Sequence, residues 1–246
     1  MLFNMKNTLW AFGCSFTAEY HPLNNTPPNN YDLYREFRGG NLPPVWPTLL
    51  SKKLKFNLKN LGKGASSNDT IFKTFCDNVS DIQEDDIVII GWTQVLRAVM
   101  ANTTGEVNHL QDVLVSNDYP EWDRRWLDYY FINRSSPAWN EQLISYTRII
   151  NELSKVKKFK VLYWSSDKTI FEYFLENFKK FNNVNFLYRK NTYNFIDILL
   201  SCRDDGIKVQ IVDETNGLIE DAHMGEAGHK KQSELLYTHL KSNGYI

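Results

Sequence analysis

A chain of 246 residues with 28 basic and 29 acidic side chains has a formal charge of −1, and 42% of its residues are hydrophobic. At this length roughly 70–75% of the unfolded chain's surface is buried on folding, so a full core forms without staples. The charge balance lacks the basic excess that non-specific nucleic-acid binding needs, and the apolar run 87–90 leads only to Gln94 and Arg97, far short of the ~20 residues that span a bilayer. Neither nucleic acid nor a membrane is therefore expected as a partner.

Cys14, Cys76 and Cys202 are odd in number and lack CxxC spacing, which fits reduced thiols better than disulfides or a zinc site. The first ten residues include Asn4, Lys6 and Asn7 and no small-residue cleavage site, so no secretory signal is read there. A chain that is cytoplasmic at synthesis is the expectation.

In chain order, apolar runs rich in β-branched or aromatic residues fall at 8–13, 56–61, 86–92, 160–164, 184–188 and 208–212. Helix-like segments fall at 46–54, 68–79, 139–157, 168–181, 193–201 and 226–243. This alternation predicts βαβ units around a mostly parallel sheet, an α/β fold in one domain covering 1–246. In the last helix Leu235, Leu236, His239 and Leu240 recur at helical spacing, and Gly244 supplies a stop.

Two stretches break the alternation and are read as insertions. Residues 20–44 carry Pro22, Pro27, Pro28, Pro43 and Pro44, which predicts a surface loop near the end of the first strand. Residues 102–138 carry Trp122, Trp126, Tyr129, Tyr130 and Phe131 beside Arg124 and Arg125. Loops of this length inside a compact domain are usually functional or mobile.

Three places hold residues suited to chemistry. The first strand runs into Gly13-Cys14-Ser15-Phe16-Thr17. In open α/β sheets the ligand crevice lies beyond the carboxyl ends of the strands, which is where Ser15 is expected, although a serine there also serves as a helix N-cap. Near the other end, Asp221 and His223 stand two residues apart ahead of the last helix. An acid beside a histidine orients the imidazole and stabilises its positive charge, as a general base for a serine hydroxyl requires; the plainer reading is a surface histidine beside solvated acids.

The third place is the run from Asn60 through Gly62, Gly64 and Ala65 to Asn68, a small-residue turn between a strand and a helix. Backbone N–H groups at such a turn suit a phosphate or the oxyanion of acyl transfer, and a plain β-to-α turn is the alternative. A dinucleotide fingerprint would need glycine at position 67, which is Ser67, and no Gly-Lys-Ser/Thr is present for a P-loop. His223, Glu226 and His229 are spaced three and three, which is not HExxH, so no metal is expected; His229 is expected to pack or cap within its helix start.

Together these pieces resemble the SGNH/GDSL hydrolases, esterases and lipases of flavodoxin-like fold, and are most similar to phage and environmental bacterial variants that begin Gly-Cys-Ser-Phe-Thr. The resemblance implies a three-layer α/β/α sandwich around a parallel sheet of about five strands. The family's first block corresponds to Gly13–Thr17 and implies Ser15 as the nucleophile. Its second block, Asn-x-Gly-x-x-Gly, matches Asn60 and Gly62, with Ala65 in place of the last glycine. The third block, Gly-x-Asn-Asp, falls on Gly91, Trp92, Thr93 and Gln94, so Thr93 stands where the family has its oxyanion-hole asparagine. The fifth block matches Asp221, His223, Gly228 and His229, with Glu220 as the rival acid. Trp46 with Leu49 and Leu50 is similar to the helix after the first loop. Chain order separates this family from the α/β-hydrolases, whose Gly-x-Ser-x-Gly elbow follows several strands.

The resemblance implies a serine esterase that works through an acyl-enzyme and needs no cofactor. His223 takes the Ser15 proton, Asp221 orients His223, and the amides of Ser15 and Ala65, helped by Asn68 or Thr93, bind the oxyanion. The substrate is a small-molecule or glycan ester, an O-acetyl group among them. Read from the residues themselves, Trp92, Arg97, Trp122 and Trp126 are the candidate substrate contacts, with core or lid packing the plainer reading for the aromatics and a solvated surface position for the arginine. Two other readings stand beside it. One is a binding or structural protein on the same fold, in which Ala65 and Thr93 record lost catalysis. The other is a flavodoxin-like nucleotide-binding domain that uses the 62–68 turn.

Overall fold

The computed structural model describes residues 7–19, 42–64, 66–93, 98–101, 107–110, 136–165, 210–213, 217–220 and 226–246. In chain order the described elements are β1 (Thr8–Phe12), α1 (Trp46–Leu54), β2 (Asn57–Asn60), α2 (Asn68–Asn78), β3 (Ile87–Trp92), β4 (Ala98–Ala101), β5 (Val107–Leu110), α3 (Ser136–Lys157), β6 (Lys160–Ser165), β7 (Gln210–Asp213), β8 (Gly217–Glu220) and α4 (Glu226–Ser242).

Alternation along the strands builds the layers. In β1, Leu9 and Ala11 point to one face and Trp10 and Phe12 to the other; β3 splits the same way, Ile87 and Ile89 against Val88 and Ile90. All are buried, because a parallel sheet is covered on both faces. The first face packs on Trp46 and Leu50 of α1 and on Leu236 and Leu240 of α4. The second packs on Ile71 and Phe75 of α2 and on Leu143, Ile144 and Ile150 of α3. The result is a three-layer α/β/α sandwich.

Four described strands pair in the order β2-β1-β3-β6, all parallel, with Leu9 opposite Leu58 on one side and Ile87 on the other. This is the flavodoxin-like order, in which the chain winds to one side of β1 and then crosses back to the other.

Local chemistry fixes the ends of these elements. Ser67 caps α2, its Oγ accepting from Thr70 N at 3.2 Å. Lys157 at the end of α3 donates from Nζ to the carbonyls of Val79 and Ser80, at 2.8 and 3.0 Å, where α2 runs out of helical partners. Helix α1 closes on Lys55 in the left-handed region (φ 59), with Phe56 N donating to Ser51 O. At the amino end of the sheet the buried carboxylate of Asp86 accepts from Thr8 N, Trp10 Nε1 and Gln83 N at 2.8, 2.9 and 3.0 Å, tying β1 to β3. The opposite edge is left to the loops.

Two findings differ from the sequence reading. The strand expected at 208–212 is β7, and among the described residues it pairs antiparallel with β8, Gln210 opposite Glu220, in a two-stranded sheet of its own. Only three residues separate Asp213 from Gly217, a link that suits a hairpin and makes β8 the antiparallel partner of β7. The stretch 102–138 also contains β5, which pairs antiparallel with β4, and α3 begins at Ser136, three residues before the expected start. The strand expected at 184–188, the helices at 168–181 and 193–201, and most of 20–44 lie outside the described residues. Among the described residues no helix is long and apolar enough to cross a membrane.

Candidate active site

The winding of the sheet reverses between β1 and β3, and in such sheets a crevice opens beyond the carboxyl ends of those two strands. Ser15 follows β1, three residues past Phe12, and Thr93 follows Trp92 at the end of β3, so both stand at that edge. After Phe12 the chain turns tightly, with Thr17 N and Ala18 N both donating to Cys14 O at 2.9 and 3.1 Å. Ser15 thus sits within a hydrogen-bonded turn, and no helix follows that it could cap among the described residues.

The loop after β2 clasps this turn. Leu61 N donates to Ala11 O and Lys63 N to Gly13 O, at 2.8 and 3.0 Å. The Asn60 side chain donates from Nδ2 to Thr17 O at 2.8 Å and accepts from Gly62 N at 3.1 Å, joining the two loops. A Cβ on Gly62 would stand 2.6 Å from Ala18 N and 2.7 Å from the Thr17 carbonyl carbon, so the backbones approach this closely only with glycine there. At Gly13 a Cβ would lie 2.2 Å from Thr17 Oγ1.

The hydroxyls of Ser15, Thr17 and Thr93 are buried and have no hydrogen-bond partner among the described residues. Each such group costs about 1–3 kcal/mol of desolvation, a cost that natural structures seldom leave standing without a use. Thr93 is held through its backbone. Its N–H donates to Asn68 Oδ1 at 2.8 Å, and its carbonyl accepts from Asn68 Nδ2 at 2.9 Å. Both ends of the Asn68 amide are therefore engaged on Thr93.

Of the expected substrate contacts, Trp92 is fully buried and stacks on Tyr163, with centroids 6.3 Å apart and planes at 12°, which is the position of a core residue. Burial pushes the Tyr163 hydroxyl well above the ordinary tyrosine range, and that hydroxyl donates to Asn151 Oδ1 at 3.0 Å. His229 is buried, but the helix start it serves is not its own: Nδ1 accepts from the backbone N–H of Trp46 at 3.2 Å, at the start of α1. Among the described residues no group of three His, Cys, Asp or Glu could hold a metal ion. Glu220 ends β8. Ala65, Arg97, Trp122, Trp126, Asp221 and His223 lie outside the described residues.

Sequence reasoning did not find the Asn68 clamp on Thr93, the Asp86 clamp at the far end of the sheet, or the contact of Ser165 Oγ with Trp92 O at 3.3 Å. Each joins residues far apart in the chain, and single polar residues give no periodic signal.

Fold and edge together define an open α/β/α sandwich with a serine at its switch point. No family model and no curated protein matches the chain. Among solved structures it is similar to a G-D-S-L family protein from Desulfitobacterium hafniense DCB-2, with 14% identity and a TM-score of 0.48 over 95% of this chain and 99% of that one. It is also similar to YxiM from Bacillus subtilis, with 14% identity and a TM-score of 0.49, over 97% of this chain and 57% of that one.

Proposed function

We propose that the chain is a serine acyl hydrolase that cleaves a small ester through an acyl-enzyme. The observation that carries this reading is the Ser15 hydroxyl: buried at the carboxyl end of β1, at the switch point, and without a hydrogen-bond partner among the described residues. A serine hydroxyl at this edge, not committed to another partner among the described residues, is available to a histidine base.

In the proposed reaction His223, oriented by Asp221, takes the Ser15 proton as Oγ bonds to the ester carbonyl carbon. The proton then goes to the departing alcohol, leaving Ser15 acylated. Water repeats the sequence and releases the acid. The amides of Ser15 and Ala65 bind the oxyanion, and the Thr93 hydroxyl serves as the side-chain donor. Asn68 acts through Thr93 rather than on the substrate.

A fluorophosphonate probe tests the reading. Labelling at Ser15 that is abolished in Ser15→Ala and reduced in His223→Ala supports it. No labelling and no turnover of short-chain aryl esters would sink it in favour of a binding or structural role. A rise in melting temperature with phosphate would favour a nucleotide domain.

A further inference from the structure

Trp46 is the first residue of α1 and is fully buried. Three of its contacts reach elements that bound the candidate site. Its indole Nε1–H donates to the carbonyl of Phe16 at 3.0 Å, one residue past Ser15. Its backbone N–H donates to Nδ1 of His229, on the first turn of α4. Its ring meets Trp164 edge-on, with centroids 6.2 Å apart and planes at 89°. Trp164 in turn lies so close over Gly91 that a Cβ there would be 2.6 Å from its ring, two residues before Thr93.

The start of α1 explains why His229 is needed. A helix leaves its first N–H groups without intrahelical partners, and here the N-cap, Val45, has no side-chain acceptor. Pro47 removes one of those donors by having no N–H, and Leu49 N finds Val45 O at 3.1 Å. Trp46 N–H is taken by an imidazole from a residue 183 positions away. Trp46 thus joins the Ser15 turn to the start of α4, reaching the turn through its indole N–H and α4 through its backbone N–H.

We propose that Trp46, tied down by His229, is a positioning residue for the Ser15 nucleophile, setting the height of the turn in the crevice. The inference rests on the acyl-hydrolase reading for its catalytic meaning. Its structural content is independent of that reading: the indole N–H restrains the turn whose own bonds are Thr17 N and Ala18 N to Cys14 O.

Replacing Trp46 with 3-benzothienylalanine keeps the ring and removes only the N–H donor; Trp46→Phe is the coarser variant. His229→Gln keeps an acceptor for Trp46 N, whereas His229→Leu does not. In the benzothienyl protein amide exchange at Thr17 and Ala18 is expected to rise about tenfold or more, fluorophosphonate labelling of Ser15 to slow by a similar factor, and turnover of a short-chain aryl ester to fall in kcat rather than rise in KM. His229→Leu repeats the effect and His229→Gln reverses most of it. Leu240→Ala, a core truncation in α4, lowers the unfolding midpoint without slowing the labelling. Exchange at Thr17 and Ala18 within about twofold of wild type in the benzothienyl protein overturns the inference. A wild-type protein that does not label at all overturns the hydrolase reading alone, and the exchange data then decide whether Trp46 holds the turn.

Discussion

Asn68 grips Thr93 by both backbone polar groups, accepting from its N–H at 2.8 Å and donating to its carbonyl at 2.9 Å, across 25 residues of chain. This is the pairing that a neighbouring strand would offer, supplied by a side chain where β3 ends. It joins the start of α2 to the residue that follows β3 at the carboxyl edge of the sheet. Asn68→Leu leaves both Thr93 groups unpaired in a buried place and is expected to cost about 2–4 kcal/mol in urea unfolding. Asn68→Asp keeps the acceptor but sets a carboxylate oxygen against the Thr93 carbonyl, and should be destabilising as well. A loss under 0.5 kcal/mol, on the order of an ordinary surface change, would show that the clamp contributes nothing.

The buried hydroxyls predict the opposite balance between stability and activity. Thr93→Val has nearly the same shape and removes a hydroxyl that has no partner among the described residues. Its stability should hold or rise, by up to about 1 kcal/mol, while ester turnover falls on the order of 10²-fold if the hydroxyl meets the oxyanion. Ser15→Ala should likewise hold or gain stability while losing all labelling. A Thr93→Val protein that unfolds more easily and turns over normally would assign that hydroxyl to packing instead.

Periodic features were legible in the sequence, and pairwise polar contacts were not. Leu9, Trp10, Ala11 and Phe12 read as a buried strand because every position is apolar, and the helix stop at Gly244 is visible from one residue type. Ser15 stood out because a small polar residue follows that strand directly. His229 was legible as a residue that packs or caps, but its target, Trp46 N, is set by how α4 lies against α1. The strand at 208–212 was legible from its composition, but its partner was not: Gly217–Glu220 is a short segment, and the β7–β8 pairing follows from the three-residue link between them rather than from residue type.

Gly62 tests the contact between the two loops. Alanine there would place its Cβ 2.6 Å from Ala18 N and 2.7 Å from the Thr17 carbonyl carbon, both backbone atoms that cannot swing aside. Gly62→Ala is expected to cost about 1–3 kcal/mol or more, as overpacking does, and to slow Ser15 labelling by displacing the turn. Gly244→Ala is the comparison: no atom lies within 4 Å of its Cβ, and only its φ of +68° is strained, so a loss of about 1 kcal/mol is expected with no change in labelling. Equal losses for the two variants would mean that the close approach at Gly62 is relaxed by small shifts.

His239, in the last turn of α4, gives the stability a defined pH dependence. Burial lowers its pKa below the ordinary histidine value of 6.5, so the folded protein gives up this proton more readily than the unfolded chain. Between the lowered folded value and 6.5 the unfolded state binds more protons, and stability therefore rises with pH in that window. The contribution is fully present above 6.5 and is lost as the pH falls through the window below it. The helix C-terminus favours a cation at this position, yet burial prevails in the direction of the shift. Unfolding midpoints measured from pH 7.5 down to about 5 should therefore fall less steeply in His239→Gln than in the wild type. Parallel profiles for the two proteins would place the pH dependence in other groups.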